Sequence, residues 1–282
     1  MTPVRKQLVG TAAIVFALFP ALPSWAAYVT QTGPVVLSDD FEAPVGPGTG
    51  YTIGQSPVDI GPWGGTAGTT GNNNTQVVAG NGGQMAQLTG VYDKAAGMNY
   101  RDTAGGVKDY YYDFDYLPGI DTAVNRYGSG PTKNMVLSDS GGAKKVLEFG
   151  VTDDNDPANP NRYYVVVSNS TTRIYYGNTV VANQATKVQL FLDNTGSQQW
   201  AYTLYLDGQL LANAVVFDTT GSGAGKADTL AFLLNWQDSF TTSIDNFNWR
   251  TDGFARAIPE PTGLGLMGIG ALCMGIRRGM IR

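Results

Sequence analysis

The chain of 282 residues contains no histidine and a single cysteine, Cys273. Without imidazole there is no Ser-His-Asp or Cys-His nucleophile system and no His-ligated metal site. One thiol, nine residues before the end, cannot form an intrachain disulfide, so stability has to come from a hydrophobic core. Glutamate is almost as scarce: Glu42, Glu148 and Glu260 are the three present. Retaining glycoside hydrolysis needs two carboxyl groups close together on one cleft, and no Glu-x-Asp-x-Glu stretch occurs. Only 15% of residues are charged, with an acidic balance of −5. That sign argues against a nucleic-acid partner, which requires a basic surface against the phosphates. Gly-rich stretches such as Gly61-Pro62-Trp63-Gly64-Gly65 have no following Lys-Ser/Thr, so phosphate cradling is unsupported.

Long apolar runs are missing from the middle of the chain and present at both ends. Arg5 and Lys6 precede an apolar stretch from Leu8 to Leu22, then Ser24-Trp25-Ala26. This is the layout of a secretory signal peptide over residues 1–26, with cleavage expected after Ala26. At the other end, Pro259-Glu260-Pro261 leads into an uncharged run to Ile276 and then Arg277-Arg278. The run is short for a membrane span, which takes about 20 apolar residues. Gly263, Gly265, Gly268 and Gly270 nevertheless argue against a water-soluble helix, since each costs about 1 kcal/mol of helix propensity. Small residues are tolerated in membrane helices, and the paired arginines suit a cytoplasmic end.

Together these ends resemble the PEP-CTERM proteins of Gram-negative bacteria that make extracellular polysaccharide. The resemblance rests on Pro259, Glu260, Pro261, the apolar run, and Arg277 and Arg278, and it concerns sorting alone. It implies a transient inner-membrane anchor, recognition by an exosortase-type processing enzyme, and release to the cell surface or extracellular matrix. Loss of residues 1–26 and 262–282 would leave 13 basic residues against 23 acidic ones, a net charge of −10. Divalent cations become better candidate partners than nucleic acid.

Between the ends, alternation and turn residues predict an all-β body over residues 27–253, joined to the 259–282 sorting signal by a short linker, 254–258. In 186–194, Val188, Leu190 and Leu192 share one face. In the stretch from 201, Tyr202, Leu204 and Leu206 do the same before an Asp207-Gly208 pair suited to a tight hairpin. Further strands are expected around PVVLSDDF, QMAQLTGVY, VKDYYYDFDYL, KKVLEFGVTDD, RYYVVVSNSTTRIYYGN, DTLAFLLNWQ and SIDNFNWRT. The Gly- and Asn-rich stretch 61–83 reads as a long loop. Short strands at this spacing point to an antiparallel β-sandwich. The order of DDFE, KVQLFLDN, YTLYLDG, LAFLLNW and SIDNFNW resembles the concanavalin A-like (laminin G-like) jelly roll. That resemblance implies pairing of the first and last strands and a body of the kind that binds or hydrolyses glycans.

Three candidate sites follow. Asp113 and Asp115 alternate onto one face of YYYDFDY with Tyr111, while Tyr110, Tyr112, Phe114 and Tyr116 take the other. Unpaired carboxylates are costly to bury, so Phe114 should be core and Tyr111 should stand wet beside the aspartates as a glycan-binding patch. The same aspartates are the acid/base pair of an alternative enzyme reading. Second, carbohydrate-binding jelly rolls often hold calcium between the first and last strands; the resemblance assigns Asp40, Glu42 and Asp245 to it. Third, Asp153-Asp154-Asn155-Asp156 offers hard oxygen ligands to calcium, without EF-hand spacing. An exposed aromatic strip is a further idea, drawing on Tyr110, Tyr111, Tyr112, Tyr116, Tyr163, Tyr164, Tyr175, Tyr176, Trp200 and Trp236, although strands favour such residues for packing as well. The leading expectation is a non-enzymatic matrix protein that binds extracellular polysaccharide.

Overall fold

The computed structural model describes residues 33–252, apart from 44–49, 66–74, 81, 90–95, 120–132, 140–143, 152–161, 178–179, 182 and 235–240. The expected signal peptide, linker, sorting helix, Asp153–Asp156 cluster and Trp236 therefore lie outside the described residues. Among the described residues no helix is long and apolar enough to cross a membrane.

In chain order the elements begin with β1 (Val35–Asp39), α1 (Pro57–Ile60), β2 (Gly64–Gly65), β3 (Thr75–Ala79) and β4 (Gln84–Thr89). Next come β5 (Ala96–Arg101), β6 (Tyr110–Pro118), β7 (Lys133–Asp139), β8 (Lys144–Val151), β9 (Tyr163–Val167) and β10 (Ile174–Tyr176). The remainder are β11 (Thr186–Gly196), β12 (Gln199–Leu206), β13 (Gln209–Asp218), β14 (Thr229–Leu234) and β15 (Thr241–Thr251). One sheet has the order β13-β12-β11-β6-β15-β4-β3, with β1 also paired to β15; the facing sheet runs β10-β9-β8-β7-β14-β5-β2. All pairs are antiparallel, and the body is the sandwich that the alternation implies. The first strand does pair with the last, Val35 opposite Arg250 and Asp39 opposite Phe247.

The period of two decides what enters the core. Val188, Leu190 and Leu192 on β11 are fully buried, as are Tyr202 and Leu204 on β12 and Tyr110, Tyr112 and Phe114 on β6. Phe114 packs across the layer, its ring 5.4 Å from Phe232 and 6.5 Å from Phe149. Asp207 (φ 49°) and Gly208 (φ 73°) both take left-handed backbone between Leu206 and Gln209, the geometry of a two-residue type I′ hairpin. Near the first strand, buried Asp39 accepts hydrogen bonds from the Tyr51 hydroxyl (2.7 Å), the Trp63 indole (2.8 Å) and the Phe41 amide (3.0 Å). The first two bonds pin the 51–63 segment, including the single turn α1, against the end of the core, and the third turns the chain as it leaves β1.

One expectation needs correction, and two strands were not expected at all. The 61–83 stretch is not one long loop: β2 and β3 lie within it, and β3 pairs with β4 from Thr75 opposite Leu88 to Ala79 opposite Gln84. The strands β5 and β7 were also invisible to pattern reading. AGMNYR carries Gly and Asn, poor strand formers, and is held by ladders to β14 and β2 on its two sides.

Candidate functional site

The outer face of the larger sheet carries the polar residues left over when the inner face is filled. Three cross-strand rows define it. Phe191, Tyr111 and Arg250 lie side by side on β11, β6 and β15; Gln189, Asp113 and Asn248 form the next row; Lys187, Asp115 and Asp245 the third. Asp113 and Asp115 are thus on one solvent-facing surface, as expected, with Phe114 behind them in the core.

Tyr111 corrects the expectation. It does share the aspartate face, but it is buried, 1% exposed, between Phe191 (ring centroids 4.7 Å) and a cluster that includes Tyr205 and Leu210. A side chain that covered offers no ring for a sugar to stack on. Its hydroxyl instead donates to Asp113 Oδ2 at 2.6 Å and accepts from Gln189 Nε2 at 2.7 Å. Burial, and then the Asp113 charge, push the phenol far above its ordinary pKa, so it is unsuited to act as a base near neutral pH. The other expected platform aromatics are also mostly structural: Tyr110, Tyr112, Tyr116, Tyr163, Tyr164 and Trp200 are buried, while Tyr175 and Tyr176 are half-buried.

The carboxylates are heavily partnered. Lys187 pairs with Asp113 and lies 3.5 Å from Asp115, while Asn246 Nδ2 donates to Asp115 Oδ2 at 2.7 Å. Arg250 donates from Nε to Asn248 Oδ1 at 3.1 Å and from a terminal nitrogen to the Gly33 carbonyl at 2.9 Å. The result is a strip of ordered donors and acceptors mounted on three rigid strands. Sequence reading missed Lys187, Gln189, Asn246, Asn248 and Arg250. For the first two a signal existed, since alternation on β11 sends them opposite to Val188 and Leu190.

The acidic trio divides. Asp40 is exposed and its Oδ1 accepts from the Glu42 amide at 3.3 Å. Glu42 Oε1 accepts from the Gln84 amide at 3.1 Å. Asp245 stands directly opposite Asp115 across the ladder, beside a bulge where Asn246 takes a φ of 49°. Glu42, Asp115, Asp245 and Asn246 line a cavity of about 300 Å³ together with Met85 and Leu117. Burial first, then the charges of Asp115, Glu42 and Asp40, raise the Asp245 pKa to about 6. Among the described residues no three acidic side chains stand close enough to hold a metal ion. As placed, the trio is a site of carboxylate repulsion, and Asp115 acts on Asp245 more strongly than Asp40 does.

Comparison with known proteins adds two findings. Residues 257–279 match the PEP-CTERM protein-sorting motif. No curated protein matches the chain. Among solved structures, a carbohydrate esterase from the Shiga toxin-encoding bacteriophage phi24B is 18% identical with a TM-score of 0.50, covering 79% of this chain and 100% of its own. The CBM2 module of the Lactobacillus casei BL23 phage J-1 evolved Dit is 11% identical with a TM-score of 0.47, covering 81% and 100%. The alginate lyase Aly36B is 12% identical with a TM-score of 0.47, covering 80% and 100%. At 18% identity the likeness to the esterase bears on the fold alone, and it agrees with the two-sheet antiparallel sandwich described above. The motif marks the chain as exported, anchored at its C-terminus and processed by an exosortase.

Proposed function

We propose that this is a non-enzymatic component of the cell surface or exopolysaccharide matrix of a Gram-negative bacterium, which binds polysaccharide on the outer face of its larger sheet. The observation that carries the reading is the ordered strip of Lys187, Gln189, Asp113, Asp115, Asn246 and Asn248. Strand-mounted donors and acceptors fixed by their neighbours suit recognition of sugar hydroxyls, because little side-chain freedom is left to lose on binding. The same arrangement disfavours the rival reading of a glycan-active enzyme built on Asp113 and Asp115. A general acid needs a proton free to move toward the substrate. Here Lys187, Tyr111 and Asn246 occupy carboxylate oxygens that such a proton would use.

The test is co-sedimentation of the secreted protein with the host's own exopolysaccharide, followed by sizing of the polymer. Retention without shortening, weakened by Asn248→Ala or Lys187→Ala, supports binding on this face. Shortening of the polymer, abolished by Asp113→Asn, would establish the enzyme instead.

A further inference from the structure

Pairing of β6 with β11 brings an amine against a carboxyl group on the outer face of the larger sheet. Lys187 stands opposite Asp115 in the ladder, and its side chain reaches diagonally so that Nζ rests against Asp113 Oδ1. That oxygen is closed off from solvent. The side chains of Lys187, Asp113 and Asp115 are 24%, 20% and 28% exposed, so water is thinned around all three. The other oxygen of Asp113, Oδ2, receives the Tyr111 hydroxyl at 2.6 Å and Gln189 Nε2 at 3.4 Å. Burial and the Asp113 charge hold the Tyr111 pKa high, so that hydroxyl is a permanent donor. Asp115 Oδ1 lies 3.5 Å from the same Nζ, while its Oδ2 accepts from Asn246 Nδ2 at 2.7 Å. A nucleophile, a carbonyl carbon, two donors on one of its oxygens and a proton carrier thus converge on one point.

We propose that Lys187 and Asp113 condense into an intramolecular isopeptide bond that ties β11 to β6. Asp115 carries one proton from the Lys187 ammonium to Asp113 Oδ1, and the freed amine attacks Asp113 Cγ. Charge gathering on Oδ2 in the tetrahedral adduct is met by the Tyr111 hydroxyl and the Gln189 amide, fixed donors of the kind that assist acyl transfer. A second nitrogen proton follows the same path, the Cγ–Oδ1 bond breaks, and Oδ1 leaves as water. The new Cγ–Nζ amide keeps the third proton. Ammonium and carboxylate are consumed together, so net charge is unchanged and no oxidant or activated co-reactant is required. Amines and carboxylates free in water do not condense this way, but well-oriented intramolecular groups reach effective concentrations on the order of 10⁵ M. With one cysteine in the chain, no disulfide can join two strands. An amide between strands so distant in sequence restricts the unfolded chain in the same manner. The inference does not rest on polysaccharide binding, since the amide leaves a donor and an acceptor in the strip whether or not a polymer lies there.

The experiment is mass spectrometry of the secreted protein, denatured before measurement. Its intact mass should be about 18 Da, one water, below the value for its own termini. A tryptic digest should contain the Lys187 and Asp113 peptides joined, with no cleavage after Lys187. Lys187→Arg keeps the charge but cannot give up its proton; it should restore the missing mass and lower the melting temperature by at least about 5 °C. Asp115→Asn leaves both reacting groups in place and should slow the loss of water after synthesis at least about tenfold. The wild-type measurement needs no variant to fold. A full mass with trypsin cleaving after Lys187 overturns the proposal, as does a missing water that maps to other residues. An Asp115→Asn variant that cross-links at the wild-type rate overturns the proton path.

Discussion

Asp245→Asn should stabilise the protein at pH 7.5, against the usual expectation that replacing a native residue destabilises it. Asp245 faces Asp115 across the β6–β15 ladder, with Glu42 and Asp40 nearby, and its pKa is raised from 3.8 to about 6. A folded state that holds its proton more tightly than the unfolded chain binds more protons between about pH 4 and 6. Stability therefore falls as pH rises through that window, and above it the ionised carboxylate is a standing cost. Each unit is worth about 1.4 kcal/mol. The group is half-buried and lines a cavity open to the surface, so screening reduces the two-unit shift to about 1 kcal/mol. Asparagine is isosteric and keeps an oxygen for the Asn246 amide, which bonds Asp245 Oδ1 at 2.7 Å. The expected gain at pH 7.5 is about 2–4 °C in melting temperature for a body of this size, shrinking to nothing near pH 4. Thermal melts of wild type and variant from pH 4 to 8, in chelator, measure it. A variant no more stable than wild type at pH 7.5, or a gain that grows toward acid, would refute the electrostatic reasoning. Repeating the melts with calcium tests whether a cation neutralises the cluster. If one does, calcium stabilises the wild type by mass action and the variant less.

Phe114→Ala should cost about 3–5 kcal/mol, read from urea unfolding, because its ring is fully buried among Phe149, Phe232 and Phe247. Tyr111→Ala should lower stability by a similar amount and so cannot serve as a clean binding variant, whereas Tyr111→Phe loses only the Asp113 and Gln189 bonds and should cost about 1 kcal/mol in the same assay. Gly208→Ala places a side chain at a φ of 73° in the β12–β13 turn and should cost about 1–2 kcal/mol by melting. Intact mass of the released protein should show a start near Ala27 and no tail beyond about Pro261; a full-length tail on the secreted species would refute processing there.

Which side of each strand enters the core was legible in the residues themselves. Alternation is a local property, set by the pleat, so Val188, Leu190 and Leu192 or Tyr110, Tyr112 and Phe114 declare a shared face without knowledge of any partner. The Asp207-Gly208 turn was legible for the same reason: left-handed backbone is a demand placed on two adjacent residues. The two ends of the chain could be read because signal and sorting segments are recognised as linear sequence. What the alternation cannot say is whether the second face of a strand is wet or covered, or which strand lies beside it. Tyr111 has the same parity as Asp113, yet Phe191 and Tyr205, some 80 and 94 positions further along, close over it. Asp245 comes to oppose Asp115 from 130 positions away through a pairing register no local pattern encodes. Lys187 joins Asp113 and Asp115 only because β11 adds to the other edge of β6. Strand order and register depend on the summed packing of both sheets, so the polar strip and the repelling carboxylates exist only in the folded molecule.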